Sequence, residues 1–309
     1  MRAFVKQAAG IDTVELADVP VPPIDEDEIL VRMYAVGVGI HDSYFLPGDA
    51  SYPYPIGIEG AGVVEEVGID VSPHRTGDRI AFVSSMQPKG GTWAEYAVVK
   101  ASALIVPIPD GLSFTVAAAL PVAGNTILRA LSALGEVPSG ASVFIAGASG
   151  AIGTLGIQLA RARGWRVSGS ASPGNHDYLR SLGAELAVDY HDPDWPAQVR
   201  AWMPGGVDAA IAVQPDTSAG SLAVVRDGGE LVSISGDQVA SERGVHARGV
   251  PYDVDVRDDL VRLMQQVDGG EVHVEIERTH RFDDALDALA KVQTRHARGK
   301  HVLSLGKGA

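Results

Sequence analysis

The chain has no cysteine among its 309 residues. That absence excludes disulfides, thiolate nucleophiles and every metal site built on sulfur. Positive charge is scarce as well: 25 lysines and arginines stand against 39 aspartates and glutamates, a formal net charge of −14. Nucleic acid and anionic membrane surfaces both require a basic footprint, so neither is expected as a partner. Long apolar runs are missing too. The longest uncharged stretch, Gly111 to Leu128, is interrupted by Pro121, Gly124 and Asn125, which argues against a membrane span. Met1-Arg2-Ala3-Phe4-Val5-Lys6 leads straight into a strand pattern without a signal-peptide h-region, so a cytoplasmic, soluble protein is the expectation. With 46% hydrophobic and 21% charged residues, the chain is long enough for two domains with their own cores.

What is present is most informative between Val143 and Gly153. The apolar run Val143-Phe144-Ile145-Ala146 stops in small residues, Gly147-Ala148-Ser149-Gly150-Ala151, and an amphipathic run follows. Ile152, Leu155 and Leu159 recur at helical spacing, and a second strand pattern, Arg166 to Ser170, comes after Gly164. Strand, tight turn, helix and strand make a βαβ unit. Gly150 allows a backbone to approach a pyrophosphate, Gly153 lets the helix lie close to the strand, and the helix N-terminus faces the anion. Ala148 takes the place of the first glycine, so the pattern reads A-x-G-x-x-G. A turn that merely packs a helix on a sheet is the alternative, but the surrounding βαβ pattern favours a dinucleotide.

The first part of the chain reads as β. Ile29, Val31, Met33 and Ala35 alternate with Leu30, Arg32 and Tyr34, and further strands are expected at 61–67, 79–83 and 93–99. A helical pattern at 115–134 leads into strand–helix alternation, with strands expected at 142–146, 166–170, 186–190, 207–213 and 230–235. Such alternation predicts a parallel, doubly wound sheet. A helix over 283–292 and a strand near His301 close the chain.

Together these residues resemble the medium-chain dehydrogenase/reductase superfamily, in its zinc-free quinone oxidoreductase and enoyl reductase branch. The likeness rests on Gly57-Ile58-Glu59-Gly60-Ala61-Gly62-Val63-Val64, Gly77-Asp78-Arg79, Gly91-Thr92-Trp93-Ala94-Glu95-Tyr96, Ala119-Leu120-Pro121, the nucleotide turn, Leu182-Gly183-Ala184 and His296-Ala297-Arg298-Gly299-Lys300. It implies an α/β chain: a Rossmann domain, a doubly wound parallel sheet over 116–269, inserted in a GroES-like, mainly β catalytic domain over 1–115 and 270–309. It also implies a homodimer. Zinc members of the superfamily carry a Cys where this chain has Gly39, a His where it has Ile58, and a further Cys near Ala123. Only Glu59 survives from that neighbourhood, and one carboxylate does not hold a catalytic zinc. No metal is therefore expected.

The active-site segment of zinc-free relatives reads Asn-x-x-Asp-x-Tyr, and here it reads Gly39-Ile40-His41-Asp42-Ser43-Tyr44. The resemblance makes Tyr44, His41 and Asp42 the catalytic candidates. Tyr44 is placed to line the nicotinamide and orient or protonate substrate, and His41 to donate a proton near neutral pH. Asp42 reads more as a cap for a following helix, or an anchor for the loop, than as a chemical group. Cofactor contacts are expected from Thr126 of Gly124-Asn125-Thr126, from Ala148, Ser149, Gly150, Ala151, Ile152 and Gly153 of the turn, and from Val213 and Ser235 at two later strand ends. Thr126 could equally serve as a helix cap.

The end of the second Rossmann strand, Ser170-Ala171-Ser172-Pro173-Gly174-Asn175, has no acid before Asp177. NAD enzymes place an Asp or Glu there, and small hydroxyls suit a phosphate instead. Ser170 and Ser172 therefore point to NADPH, Asn175 is expected beside them as a further cofactor contact, and by the resemblance Tyr190 matches a tyrosine that packs on the adenosine phosphate in NADPH-dependent relatives. Asn175 replaces a lysine found in many relatives, so the counter-charge is expected from Arg180, Arg298 or Lys300. The function implied is a zinc-independent, NADPH-dependent oxidoreductase of quinones or α,β-unsaturated carbonyl compounds. An enoyl-thioester reductase is the near alternative, suggested by Ser172-Pro173-Gly174-Asn175-His176. A non-catalytic NADPH-binding protein is the alternative of another class, favoured by Gly39 in place of the usual Asn.

Overall fold

The computed structural model describes residues 1–306 apart from 11, 85, 239 and 240. In chain order the first elements are β1 (Arg2–Lys6), β2 (Glu15–Asp18), β3 (Glu28–Val38), β4 (Tyr54–Pro55), β5 (Glu59–Val67), β6 (Arg79–Val83), β7 (Tyr96–Lys100) and β8 (Ile105–Pro107). Next come α1 (Phe114–Ala118), α2 (Pro121–Ala133), β9 (Ser142–Ala146), α3 (Ala151–Ala162), β10 (Arg166–Ser170), α4 (His176–Ser181) and β11 (Leu186–Val188). The rest are α5 (Trp195–Trp202), β12 (Val207–Ala212), α6 (Ser218–Val224), β13 (Val225–Ser233), β14 (His246–Gly249), α7 (Arg257–Asp268), β15 (Ile276–Arg281), α8 (Ala285–Gln293) and β16 (Lys300–Ser304). Contacts divide the chain into two compact units, Met1–Val122 with Arg257–Ala309, and Ala123–Val256.

The first unit is built by both chain ends. Its larger sheet runs β15-β16-β3-β5-β6-β8 with β7 also paired to β3, and a three-stranded sheet runs β2-β1-β4. The C-terminal β16 lies antiparallel to β3, with Leu303 opposite Val36. Ile29, Val31, Met33 and Ala35 are all buried, as the period-2 pattern of β3 requires. Trp93 is fully buried and meets Phe4 edge-on, with ring centroids 6.0 Å apart.

The second unit holds a six-stranded sheet in the order β11-β10-β9-β12-β13-β14. Every pairing in it is parallel. All of β9 is buried, as befits a strand covered by helices on both faces. The strand order reverses between β9 and β12, and in doubly wound sheets the crevice at that reversal takes the ligand.

Several sequence expectations shift. The helical pattern over 115–134 is two helices, because Pro121 has no N–H to continue α1 and instead opens α2. The unit boundaries fall after Val122 and after Val256, where 115/116 and 269/270 were expected. The reason at the second boundary is Arg257, whose guanidinium donates to the carbonyls of Ala103 and Ile105 and ties α7 to the first unit. β11 stops at Val188, so Tyr190 lies beyond the strand, in a turn where the Asp189 carboxylate accepts the His191 N–H at 3.0 Å.

Candidate functional site

The turn after β9 is built by three glycines with separate tasks. Gly147 has φ +77°, a left-handed conformation that favours glycine. The tight-turn role that A-x-G-x-x-G assigned to Ala148 therefore falls one residue earlier. Ala148 is buried and donates its N–H to the Ser170 carbonyl at 2.9 Å. Gly150 is the N-cap of α3 and provides no side-chain cap. A Cβ added there would meet only the Gly147 oxygen at 3.7 Å, so the space above this backbone is open. A Cβ on Gly153 would lie 2.5 Å from both the Ala148 Cα and the Gly147 oxygen, so this glycine is where helix meets turn. Ala151, Ile152 and Gly153 supply the first N–H groups of α3, which have no intrahelical acceptor. An open cradle beneath uncapped N–H groups fits a pyrophosphate.

Around this turn the other expected residues separate. Asn175 Nδ2 donates to Ser172 Oγ at 3.2 Å and to Ser149 Oγ at 3.4 Å, so these three gather beside the cradle. Ser170 differs from the expectation: it is buried, and its Oγ accepts the Gly147 N–H at 3.4 Å, so it braces the turn from behind. Val213 donates its N–H to Ala146 at 3.2 Å and flanks the turn, while Ser235 Oγ lies 3.3 Å from Ser233 Oγ. Thr126 lies half-buried in α2, next to Asn125, whose Oδ1 is buried with no hydrogen-bond partner. Tyr190 is 41% exposed and packs on the His191 ring, with centroids 4.1 Å apart. The arginines and lysine expected to supply counter-charge are engaged elsewhere. Arg180 pairs with Asp177 at 2.8 Å, Arg298 with Glu275 at 2.8 Å, and Lys300 with Glu59.

In the first unit, β3 runs directly into the turn Gly39–Tyr44. No helix follows Asp42, so the helix-cap reading is replaced by the other alternative, a loop anchor. Asp42 Oδ2 accepts both the Gly39 N–H at 2.8 Å and the Trp93 indole N–H at 3.0 Å. The carboxyl is 1% exposed, which removes it from contact with substrate. Burial pushes its pKa up to about 7, against the lowering effects of the Gly39 N–H, the Lys300 ammonium and the Trp93 indole. The clamp leaves the flanking side chains outside: Tyr44 is 54% exposed, and His41 meets it edge-on with ring centroids 5.3 Å apart. Packing of the His41 ring, together with the Arg295 guanidinium, holds its pKa below the ordinary imidazole value. A Cβ at Gly39 would stand 3.3 Å from Asp42 Oδ1, so a side chain there would press on the clamp.

Glu59 is also buried. Its Oε1 is ion-paired to the Lys300 ammonium and its Oε2 accepts the Val122 N–H at 2.7 Å. The one carboxylate surviving from the zinc neighbourhood is thus committed to a protein cation. Among the described residues, no group of three or more His, Asp or Glu side chains is placed to hold a metal ion. No described helix is long and apolar enough to cross a membrane.

A six-stranded sheet in this order, with an open glycine cradle at its first turn, inserted in a mainly β unit, defines the class: a nicotinamide-dependent dehydrogenase or reductase. Comparison with known proteins gives the branch. The family model for the alcohol dehydrogenase GroES-like domain matches residues 25–110, and that for zinc-binding dehydrogenase matches residues 182–303. The trans-enoyl reductase caaB of Aspergillus niger is 34% identical over 258 residues, which cover 75% of this chain and 69% of that protein. The chloroplastic NADPH-dependent alkenal/one oxidoreductase of Arabidopsis thaliana is 29% identical over 325 residues, 98% of this chain and 79% of that one. A solved quinone oxidoreductase from Coxiella burnetii superposes with a TM-score of 0.88 at 28% identity, over 99% of each chain. The chain belongs to the medium-chain dehydrogenase/reductase superfamily, in its zinc-free quinone oxidoreductase branch, and is an oxidoreductase.

Proposed function

We propose that this chain is a zinc-independent, NADPH-dependent reductase of small molecules bearing an activated C=C bond, either an enone or a quinone. The observation that carries the reading is the open backbone at Gly150 beneath uncapped N–H groups, which suits a dinucleotide pyrophosphate. NADPH, when bound, supplies the hydride. The backbone N–H groups of 151–153 bind the pyrophosphate, and Ser149, Ser172, Asn175 and Tyr190 form the adenosine side of the site. Asn125 Oδ1, buried without a partner, supplies an acceptor on the same unit, and Thr126 follows it on the helix. Such substrates are electrophilic without a Lewis acid, so orientation and a proton source suffice. Tyr44 Oη is the proton donor, because the residue is 54% exposed while Asp42 clamps the turn that carries it. His41, whose pKa is lowered by burial and by the Arg295 guanidinium, positions the Tyr44 ring through their edge-on contact.

Enoyl thioesters are the second substrate class. The Ser172-Pro173-Gly174-Asn175 loop and the similarity to a trans-enoyl reductase favour them. A cytoplasmic homodimer is part of this reading, and sedimentation of the purified protein tests the assembly. Activity is tested by following loss of NADPH absorbance with a panel of quinones, enones and enoyl thioesters. Turnover of at least one class is expected, and a Tyr44→Phe variant should slow it by about 10²- to 10⁴-fold, the usual worth of a proton donor.

A further inference from the structure

The second unit brings two imidazoles to the adjacent ends of β10 and β11, the side that the proposed function gives to the adenosine. Ser170 stands opposite Val188 in the parallel register of β10 and β11. The residues just beyond the two strands therefore emerge side by side, and the Ala171 N–H donates to the Val188 carbonyl at 3.1 Å. From β10 come Ser172, Asn175 and His176, whose ring returns to the Ala171 carbonyl through Nε2 at 3.1 Å. From β11 come Asp189, Tyr190 and His191, and His191 Nδ1 meets Asp189 Oδ1 at 2.8 Å. The Asp189 carboxyl lies below the usual range because it accepts the His191 N–H and ring nitrogen and feels the charge of both His191 and His176. Both rings thus stand within electrostatic reach of one carboxylate.

Three charged groups that neighbour these residues in the chain have partners of their own. Asp177 and Arg180 pair with each other, and Asp192 accepts from Gln198 Nε2 at 2.7 Å. No lysine lies in either segment, since Asn175 holds the position where relatives carry one.

We propose that this chain reads the 2′-phosphate of NADPH by histidine: His176 and His191, gathered at Asp189 beside Ser172, Asn175 and Tyr190, provide the positive charge that a lysine would otherwise supply. The proposal rests on the nucleotide-binding reading given above. It has a signature that a lysine site lacks. Imidazole is the side chain whose charge changes across neutrality, whereas an ammonium keeps its charge to about pH 10. The phosphate, with a second pKa of about 6, is mostly a dianion at about pH 6.5 and gains negative charge toward about pH 8.5, so its own titration does not weaken the contact. NADPH preference should therefore fade on the alkaline side of neutrality.

Calorimetric titration of NADPH and NADH near pH 6.5 and near pH 8.5 tests this on the wild-type chain, His176→Gln, His191→Gln and the double variant. Both side chains are partly exposed, and thermal melts verify that each variant is folded. The wild-type preference for NADPH is expected to be roughly 10- to 100-fold near pH 6.5. It should fall by about tenfold near pH 8.5, with the NADH constant unmoved. Each single variant should lose part of the acid-side preference, and the double variant should show a small preference that no longer responds to pH. A ³¹P spectrum of bound NADPH, with its 2′-phosphate resonance shifted in the wild type and less so in the double variant, gives a second readout. A preference that is large but independent of pH, or that survives intact in the double variant, overturns the proposal. Equal binding of NADPH and NADH overturns it too while leaving nucleotide binding standing. Failure of both nucleotides to bind removes the functional reading and this inference together.

Discussion

Replacing Asp42 by asparagine probes the buried clamp without altering its shape. Both donors, the Gly39 N–H and the Trp93 indole N–H, reach one oxygen, Oδ2, so an amide oxygen can accept both. The amide NH₂ then takes the place of the other oxygen, much as a protonated carboxyl would. In the wild type the carboxyl pKa rises from 3.8 to about 7 on folding. The folded chain keeps this proton where the unfolded chain has released it, so the contribution to stability is complete below about pH 4 and is lost as pH rises to about 7. At about 1.4 kcal/mol per unit, the three units amount to at most about 4 kcal/mol. An amide does not titrate, so Asp42→Asn should match the wild type in acid and gain on it by up to that amount near pH 8. Urea unfolding of the two proteins between about pH 4.5 and pH 8 measures the difference, and the Trp93 indole N–H resonance follows the titration directly. A difference that does not change with pH, or a Trp93 resonance that titrates near pH 4, would refute the buried-acid argument.

Three other outcomes follow from the geometry. Gly150→Val should abolish NADPH binding at modest cost in stability, because its side chain enters open space, whereas Gly153→Val should lower the melting temperature more, because its Cβ meets the turn at 2.5 Å; melts and nucleotide titrations of both variants separate the two effects. Lys300→Met should destabilise the chain by about 3–5 kcal/mol in urea, because Glu59 is left charged and buried without its partner, and the double variant Lys300→Met/Glu59→Gln should recover much of the loss. Metal analysis after dialysis should find well under one zinc per chain, and one retained zinc would contradict the assignment of Glu59 to Lys300.

The nucleotide unit was legible because its signals are local. β9, the turn and α3 lie within twenty-odd residues, and the switch from an apolar strand to helical spacing marks each boundary. The same locality misplaced the turn glycine: Ala148 occupied the motif position, and only backbone geometry shows the left-handed residue at Gly147. What depends on distant pairing was illegible. Asp42 is bound by Trp93, 51 positions away, and nothing near Asp42 announces an indole donor. Lys300 lay in a segment that looked free to meet a phosphate, yet β16 pairs with β3 and carries it to Glu59. Arg257 is similar, since its carbonyl acceptors are more than 150 residues earlier and decide to which unit α7 belongs. Ser170 read as a phosphate ligand because a hydroxyl at a strand end is either exposed or buried, and side-chain direction at the last strand residue follows from packing.

The most direct test of the central claim is to follow the hydride itself. The purified chain is incubated with NADPH deuterated at nicotinamide C4, in separate experiments for the two faces, together with an enone or enoyl thioester, and the product is examined by mass spectrometry and NMR. The account predicts one deuterium at the β-carbon, delivered from one face of the nicotinamide only, without added metal. Tight NADPH binding with no deuterium in any product would contradict it and leave a nucleotide-binding protein that is not a reductase.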